Sequence, residues 1–176
     1  MPLLQISQLG HPILRQKARA VAQVSNPEIQ TLIDDMIQTC ADASGLGIAA
    51  PQVYQPLRLF ILSSKPTPRY PTASSMAPMA IVNPTITERS EETEKDWEGC
   101  LSIPGLVGLV TRHKSVTVSF TSRSGEKANL SLEGLAARVF QHEHDHLEGI
   151  LFLDRADTKD LSTDKERQRA LREAAD

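Results

Sequence analysis

The stretch LAARVFQHEHDHLEG at residues 135–149 predicts the helix around which the rest of the fold packs. Its apolar residues recur at helical spacing, and Gly149 stands where a glycine commonly ends a helix. On a helix with 3.6 residues per turn, His142, Glu143 and His146 share the apolar face. These three side chains are therefore predicted to be buried, and buried polar groups need a partner.

A divalent metal ion is one such partner. His142 and His146 flank Glu143 in the pattern H-E-x-x-H, in which two imidazoles bind a metal and the carboxylate acts as general base. His144 and Asp145 rotate away from this face. We expect His144 at the surface, and Asp145 either hydrogen-bonded to a ligand ring or capping the helix in solvent. A polar helix with this spacing by chance is the alternative, since one short motif often occurs without function.

The two histidines leave a catalytic metal site incomplete, because such a site holds three protein ligands and one open position. Glu166, in DKERQRALRE, is one candidate for the third ligand, although solvated charge pairing along a helix also explains it. Cys100, in WEGCLSIPG, is the other, because a thiolate is a strong ligand for zinc or ferrous iron. These residues alone leave the choice open.

The composition is typical of one globular domain. The 176 residues are 40% hydrophobic and 23% charged with a net charge of −3, which suits a core that needs no disulfide. Basic residues are scattered, so we expect no specific nucleic-acid partner, and no apolar stretch is long enough to predict a membrane partner. Cys40 and Cys100 follow no export signal, so we expect a cytoplasmic location of bacterial type. An organellar matrix or stroma is the alternative if a targeting peptide was removed.

Two further helices are predicted. Residues 26–43 carry apolar side chains at helical spacing, with Asn26 as N-cap and Cys40 in the core. Residues 157–176 are charged and helix-prone, and we expect a solvated C-terminal helix or a frayed end there.

Extended segments with turn signals lie between the helices. The predicted segments are a strand at 57–64, an exposed loop at 65–78, a strand at 80–90, a solvated turn at 91–96, and a hairpin of 106–122 with 126–134. Pro84 favours an edge or a bulge in its strand. Together these elements predict a single α+β domain over residues 1–176, with mixed or antiparallel sheets around a central metal-binding helix.

Three segments taken together resemble the peptide deformylases, metal-dependent enzymes that remove the N-formyl group from new polypeptides. The family pattern is G-x-G-x-A-A-x-Q, then E-G-C-x-S, then Q-H-E-x-D-H-x-x-G. GLGIAAPQ at 45–52, EGCLS at 98–102 and QHEHDHLEG at 141–149 match it at every fixed position. LGHPILRQKARAV near the N-terminus is also similar to the family, so the resemblance extends through Asp154. Three ordered motifs are far more specific than any one of them.

The resemblance implies roles for the motif residues. It makes Cys100, His142 and His146 the metal ligands, and Glu143 the general base and acid. Ferrous iron is the implied native metal, with zinc or nickel as other occupants, because this ligand set does not separate them.

Further roles follow for the other two motifs. Gln52 and the backbone N–H of Leu101 would stabilise the oxyanion that forms on the formyl oxygen. An ion pair between Glu98 and Arg112 would brace the loop that carries the thiolate, with a solvated Arg112 as the alternative.

Substrate binding is assigned to the first motif and the helix. Gly45 and Gly47 would let a substrate backbone approach and pair with an exposed strand, although small residues here also suit tight packing of a helix on a sheet. The methionine side chain would enter an apolar pocket, and ordinary core packing is the alternative for some of its walls. The candidate walls are Leu46, Ile48, Leu101 and Val139. The segment GLVG at 105–108 carries no charge for contacting longer peptides, so no preference beyond the methionine is predicted.

The sequence thus predicts a metal-dependent hydrolase that releases formate from N-formylmethionyl peptides, with nascent chains at the ribosome as the expected substrates. One alternative is a zinc peptidase with Glu166 as third ligand. The other is a metal-binding or peptide-binding homologue without turnover. Glu143 and Gln52 argue against it, because binding alone requires neither.

Overall fold

The computed structural model describes residues 2–67 and 71–173, which form three α-helices and eight strands. The helices are α1 (Pro27–Asp42), α2 (Gly134–Leu147) and α3 (Asp164–Glu173). The strands are β1 (Gly47–Ala49), β2 (Leu59–Ser64), β3 (Met76–Arg89), β4 (Thr93–Cys100), β5 (Ile103–His113), β6 (Ser115–Thr121), β7 (Lys127–Glu133) and β8 (Leu161–Thr163). They build two antiparallel sheets, in the orders β1-β2-β3-β6-β7 and β4-β5-β8.

Helix α2 is the centre of the molecule, as predicted. It packs on β1, β2 and β7 of the larger sheet and on β5 of the smaller one. Phe140 anchors it edge-to-face on Phe60, with ring centroids 5.1 Å apart. The helix ends where Gly149 adopts a φ of 74° and the N–H of Ile150 donates to the carbonyl of Asp145. The predicted glycine stop is therefore confirmed.

The larger sheet separates α2 from α1 because side chains alternate along its strands. Ala49 and Phe60 pair across β1 and β2 and lie in the cluster around α2. Ile48 and Ile61, the next pair, lie in the opposite cluster with Cys40 of α1. Strand β2 is thus buried on both faces, which explains its continuous apolar run.

Helix α1 confirms the prediction for residues 26–43. The Asn26 side chain accepts a hydrogen bond from the N–H of Glu28 at 2.9 Å, and Cys40 is buried as expected. Strand β3 confirms the extended prediction around Pro84. Strand β3 lies inside the sheet, and Pro84 sits where the register with β6 shifts between Val82 and Thr85. Of the two predicted positions for Pro84, the bulge is therefore confirmed and the edge strand is wrong.

Two assignments in the middle of the chain were wrong. Residues 91–96 are not a solvated turn throughout, because β4 begins at Thr93 and pairs with β5. Residues 106–122 are not one strand, because the chain breaks at Lys114 and passes from the smaller sheet to the larger. The apolar alternation marks a strand but does not say which sheet it joins. The hairpin about residues 124–125 is confirmed as β6 with β7.

The C-terminal part contains more structure than was predicted. Helix α3 fulfils the expected charged helix, but β8 in front of it adds a strand to β5. The predicted loop at 65–78 gives way to β3 at Met76. The parts of these predictions at residues 68–70 and 174–176 lie outside the described residues. Within the described chain, no helix is long and apolar enough to cross a membrane.

Candidate active site

Strand β4 and helix α2 bring Cys100, His142 and His146 together. One potential ligand atom from each lies within 4.8 Å of the other two, and the described residues hold no other such group of three. Cys100 is the last residue of β4, and the histidines are one turn apart on α2. The Cys100 Sγ lies 3.3 Å from the His146 Nε2.

The donor set fits a divalent metal that accepts sulfur and nitrogen ligands. His142 Nδ1 lies 3.0 Å from Glu98 Oε2, which leaves Nε2 for a metal, as in carboxylate-oriented histidine ligands. Burial lowers the pKa of His146 well below its usual value, which favours the neutral imidazole that a ligand needs. Burial alone would also lower the pKa of His142, but hydrogen bonds with Cys100 and Glu98 outweigh it and raise this pKa well above its usual value, and a bound metal would displace that proton. Glu166 is exposed on α3 and lies outside this group, so the structure brings Cys100 and not Glu166 to the two histidines.

Glu98 is the buried support of His142. Arg112 donates to both its carboxylate oxygens at 2.9 Å, and Arg138 donates to Oε1 at 2.9 Å. Burial alone would raise the pKa of Glu98, but the hydrogen bonds from Arg112 and His142 outweigh it and hold the pKa well below its usual value. The expected ion pair of Glu98 with Arg112 is therefore present. The partner Arg138 was missed, although helical spacing places it one turn before His142.

Asp145 corrects two expectations. It is buried and neither contacts a ligand ring nor caps the helix in solvent. Instead it accepts from Arg112 at 2.5 Å and from Arg155 at 2.5 and 2.6 Å. The prediction that only one face of α2 is buried was wrong, because both sheets and residues 150–155 cover the helix on nearly all sides. His144 is half-buried and stays outside the ligand group, as expected, though it is not fully at the surface.

Glu143 occupies a tight, buried position next to β1. Burial raises its pKa from 4.5 to about 7, and its Oε2 has no hydrogen-bond partner within the described chain. A Cβ on Gly47 would lie 2.6 Å from Glu143 Oε1. The glycine thus makes room for the chain's own carboxylate, a role that was not predicted. Gly45 is less crowded, since a Cβ there would meet Cys40 Sγ and Leu101 Cδ1 at 3.2 Å.

Gln52 is held in the site by hydrogen bonds at both ends of its amide. Its Oε1 accepts from the N–H of Ala49 at 2.7 Å, which fixes the orientation of the amide. Its Nε2 donates to Ser102 Oγ at 3.1 Å and to Cys100 Sγ at 3.5 Å. Ser102 was given no role from the sequence, although it occupies a fixed position of the motif E-G-C-x-S.

A cavity of about 440 Å³ opens onto these groups. Leu46, Leu101 and Val139 line it, as predicted, together with Trp97. The prediction for Ile48 was wrong, because alternation along β1 turns its side chain into the core beside α1. Strand β1 ends the order of the larger sheet, so its outer edge has no strand partner among the described residues.

Comparisons with known proteins identify relatives of this chain. The model of the polypeptide deformylase family matches residues 3–162. Peptide deformylase 2 of Nostoc sp. is 53% identical over 156 residues, 89% of this chain and 87% of that protein. Peptide deformylase 1 of Nitrosomonas europaea is 42% identical over 147 residues, 84% of each chain.

Solved structures share the fold. A class I type b peptide deformylase from Acinetobacter baumannii with Met-Ala-Ser bound has a TM-score of 0.84 at 40% identity, covering 88% of this chain and 98% of that one. The peptide deformylase of Thermotoga maritima has a TM-score of 0.81 at 37% identity, covering 89% and 99%. The family model covers residues 3–162, which include all three motif segments, and relatives and solved structures at 37–53% identity cover most of the chain, so this chain belongs to the polypeptide deformylase family of enzymes.

Proposed function

We propose that this chain removes the N-formyl group from the N-terminal methionine of newly made polypeptides, releasing formate and a free amino group. One observation carries the proposal: a cysteine and two histidines converge beside a buried carboxylate at the floor of an open cavity. Membership of the family supports the same reaction.

A metal ion completes the proposed site. Cys100, His142 and His146 would hold it, with ferrous iron as the native ion and zinc or nickel as other occupants. When bound, such an ion supplies Lewis acidity, which activates water and polarises the formyl carbonyl. Glu98 would orient His142 for metal binding, because its contact with Nδ1 leaves the other ring nitrogen, Nε2, for the metal.

Glu143 is the proposed proton carrier. Its Oε2 has no partner among the described residues, so it can accept a proton from the water that attacks the formyl carbon. The same carboxyl then gives this proton to the leaving amine. The contact with Gly47 limits the positions that the carboxyl can take, which keeps it oriented for both transfers.

Gln52 and Leu101 are the proposed donors to the developing oxyanion. Leu101 lies in the two-residue connection between β4 and β5, directly after Cys100. With Ala49 and Ser102 holding the amide in place, the second N–H of Gln52, whose nitrogen lies 3.5 Å from Cys100 Sγ, would donate to a formyl oxygen placed beside that sulfur. One donor of this kind is worth about 2.7–4 kcal/mol in comparable acyl-transfer sites.

The cavity and the edge of β1 would bind the substrate. The methionine side chain would occupy the apolar part between Leu46, Leu101 and Val139, with the peptide backbone pairing along β1 beyond Gly45 and Gly47. We propose nascent chains at the ribosome in the cytoplasm as the natural substrates, and neither a specific nucleic acid nor a membrane as a partner.

Formate release from formyl-Met-Ala-Ser tests the proposal. We expect formate from protein reconstituted with ferrous iron, zinc or nickel. Cys100→Ala should abolish both metal binding and turnover, while Glu166→Ala should change neither. Cleavage of internal peptide bonds that survives Cys100→Ala and is lost in Glu166→Ala would support the peptidase instead. Peptide binding without formate from any metal form would support a homologue that lacks turnover.

A further inference from the structure

The cavity carries one charged group that the proposed reaction does not use. Its ionisable lining residues are Glu98, Cys100, Arg138, His142, Glu143 and Asp164. The first five belong to the metal group, the proton carrier or the buried ion pairs. Asp164 is half-buried and forms no ion pair among the described residues, and its Oδ2 accepts one hydrogen bond, from Gln168 at 2.8 Å.

Asp164 is held at the cavity by the docking of the C-terminal segment. Strand β8 pairs with β5, so that Thr163 lies opposite Leu106 at the cavity wall. Gly108 on β5 is fitted to this docking, since a Cβ there would lie 2.9 Å from Leu161 Cδ2. The position of Asp164 is therefore set by sheet pairing.

Helix α3 is also fixed on its cavity side. The guanidinium of Arg167 lies over the ring of Trp97, 5.1 Å from its centroid. Asp164 and Arg167 are three residues apart and so share a face of α3. Trp97 and Leu106 give the cavity apolar surface, and both line it together with Asp164.

A carboxylate beside apolar surface matches a side chain that is apolar along its stem and cationic at its end, which is the chemistry of lysine and arginine. The segment at 105–108 offers no competing charge. We propose that Asp164 is a specificity-determining residue, which favours formylated peptides carrying lysine or arginine at one of the two positions after the methionine. The proposal rests on the deformylase function proposed above. The family match ends at residue 162, so Asp164 lies just beyond it.

A purely structural role for Asp164 makes a different prediction. A carboxylate in the first turn of α3 also stabilises the helix through its dipole. That role affects all substrates equally, whereas a contact with substrate depends on the charge of the peptide and weakens with salt.

The test compares kcat/KM for formate release across a peptide set in the full-length, metal-reconstituted protein. The set is formyl-Met-Ala-Ser and its versions with lysine or glutamate at the second or third position. The variants are Asp164→Asn, which keeps an acceptor for Gln168, and Asp164→Lys. Glu166→Lys is the matched control, because it makes the same charge change on the same helix away from the cavity.

We expect the unmodified protein to prefer the lysine peptide over the glutamate peptide at one of the two positions. Asp164→Asn should reduce this ratio about two- to fivefold, mainly through KM, as suits a partly solvated ion pair. Asp164→Lys should reverse the ratio, high salt should flatten it, and Glu166→Lys should leave it unchanged. Equal ratios in the unmodified protein and both Asp164 variants, with formate still released, would overturn this inference and leave the function standing. Absence of formate from every peptide would overturn the function, and the inference with it.

Discussion

Substituting Gly47 by alanine tests how closely the site is fitted around Glu143. The added Cβ would lie 2.6 Å from Oε1, 2.7 Å from Cγ and 2.8 Å from Cδ of that side chain. Ordinary contact begins at 3.4 Å, so the carboxyl must move by about 0.8 Å. Misplacing a reacting group by about 1 Å costs on the order of 100-fold in rate. We therefore expect kcat to fall about 100-fold.

The same substitution should leave the fold and the metal site in place. Overpacking of this kind costs about 1–3 kcal/mol of stability. The assay is formate release at saturating formyl-Met-Ala-Ser, together with the melting temperature and the metal content of each variant. Gly45→Ala is the control, because its Cβ lies no closer than 3.2 Å to any neighbour: it meets Cys40 Sγ and Leu101 Cδ1 at 3.2 Å and the backbone oxygen of Gly47 at 3.4 Å. It should keep kcat within a few-fold.

The kinetic constants separate the two roles of Gly47. Displacement of Glu143 lowers kcat, whereas loss of close approach by a substrate backbone raises KM and leaves kcat alone. A folded, metal-loaded Gly47→Ala protein with the kcat of the unmodified enzyme would refute the steric argument.

Three further predictions follow from buried and paired groups. Arg112→Ala removes a cation that pairs with the buried carboxylates of Glu98 and Asp145. It should therefore lower the free energy of unfolding by about 3–5 kcal/mol and weaken metal binding about 10- to 100-fold. Unchanged stability and metal content would contradict this. Burial raises the pKa of Cys40 to about 12, so its thiol in the folded protein should resist alkylation at pH 8 and react fully after denaturation, as mass spectrometry of the peptide can check. Burial alone would raise the pKa of Glu148, but two basic partners lower it below 4.5, so its stabilisation is present above that pH and is lost as the pH falls through the lowered value. Glu148→Gln should therefore flatten the acid side of a plot of melting temperature against pH, and an identical slope in both proteins would refute the assignment.

The sequence predicts the local elements well because their signals are local. The spacing of His142, Glu143 and His146 identifies the central helix and its polar face, and Gly149 marks its end. The chemistry of Cys100 made it one of two candidate ligands, but only the resemblance chose it over Glu166, and only the resemblance brought Gln52 into the site. Both residues are distant in sequence from the helix, so their spacing implies no contact. The start of strand β4 was missed because its exposed acidic residues suggest a turn, whereas the hydrogen bonds that make it a strand come from pairing with β5.

The remaining errors come from packing that one helix face does not reveal. Asp145 was expected to bond a ligand ring or to cap the helix in solvent, because the helix was assumed to have one buried side; instead, two arginines from other segments contact it in the interior. Ile48 was assigned to the pocket without regard to the alternation that turns it toward α1. Asp164 was not predicted as a site residue, because its position at the cavity depends on β8, a three-residue strand too short to be predicted from the sequence.

The most direct test of the proposed mechanism is formate release by Glu143→Gln. Glutamine keeps the size of the side chain and removes its ability to carry the proton, so metal content and melting temperature should stay close to those of the unmodified protein. General acid–base catalysis contributes about 10²- to 10⁴-fold, and we expect kcat for formyl-Met-Ala-Ser to fall within that range. A metal-loaded Glu143→Gln protein that releases formate at the unmodified rate would contradict the assignment of Glu143 as proton carrier.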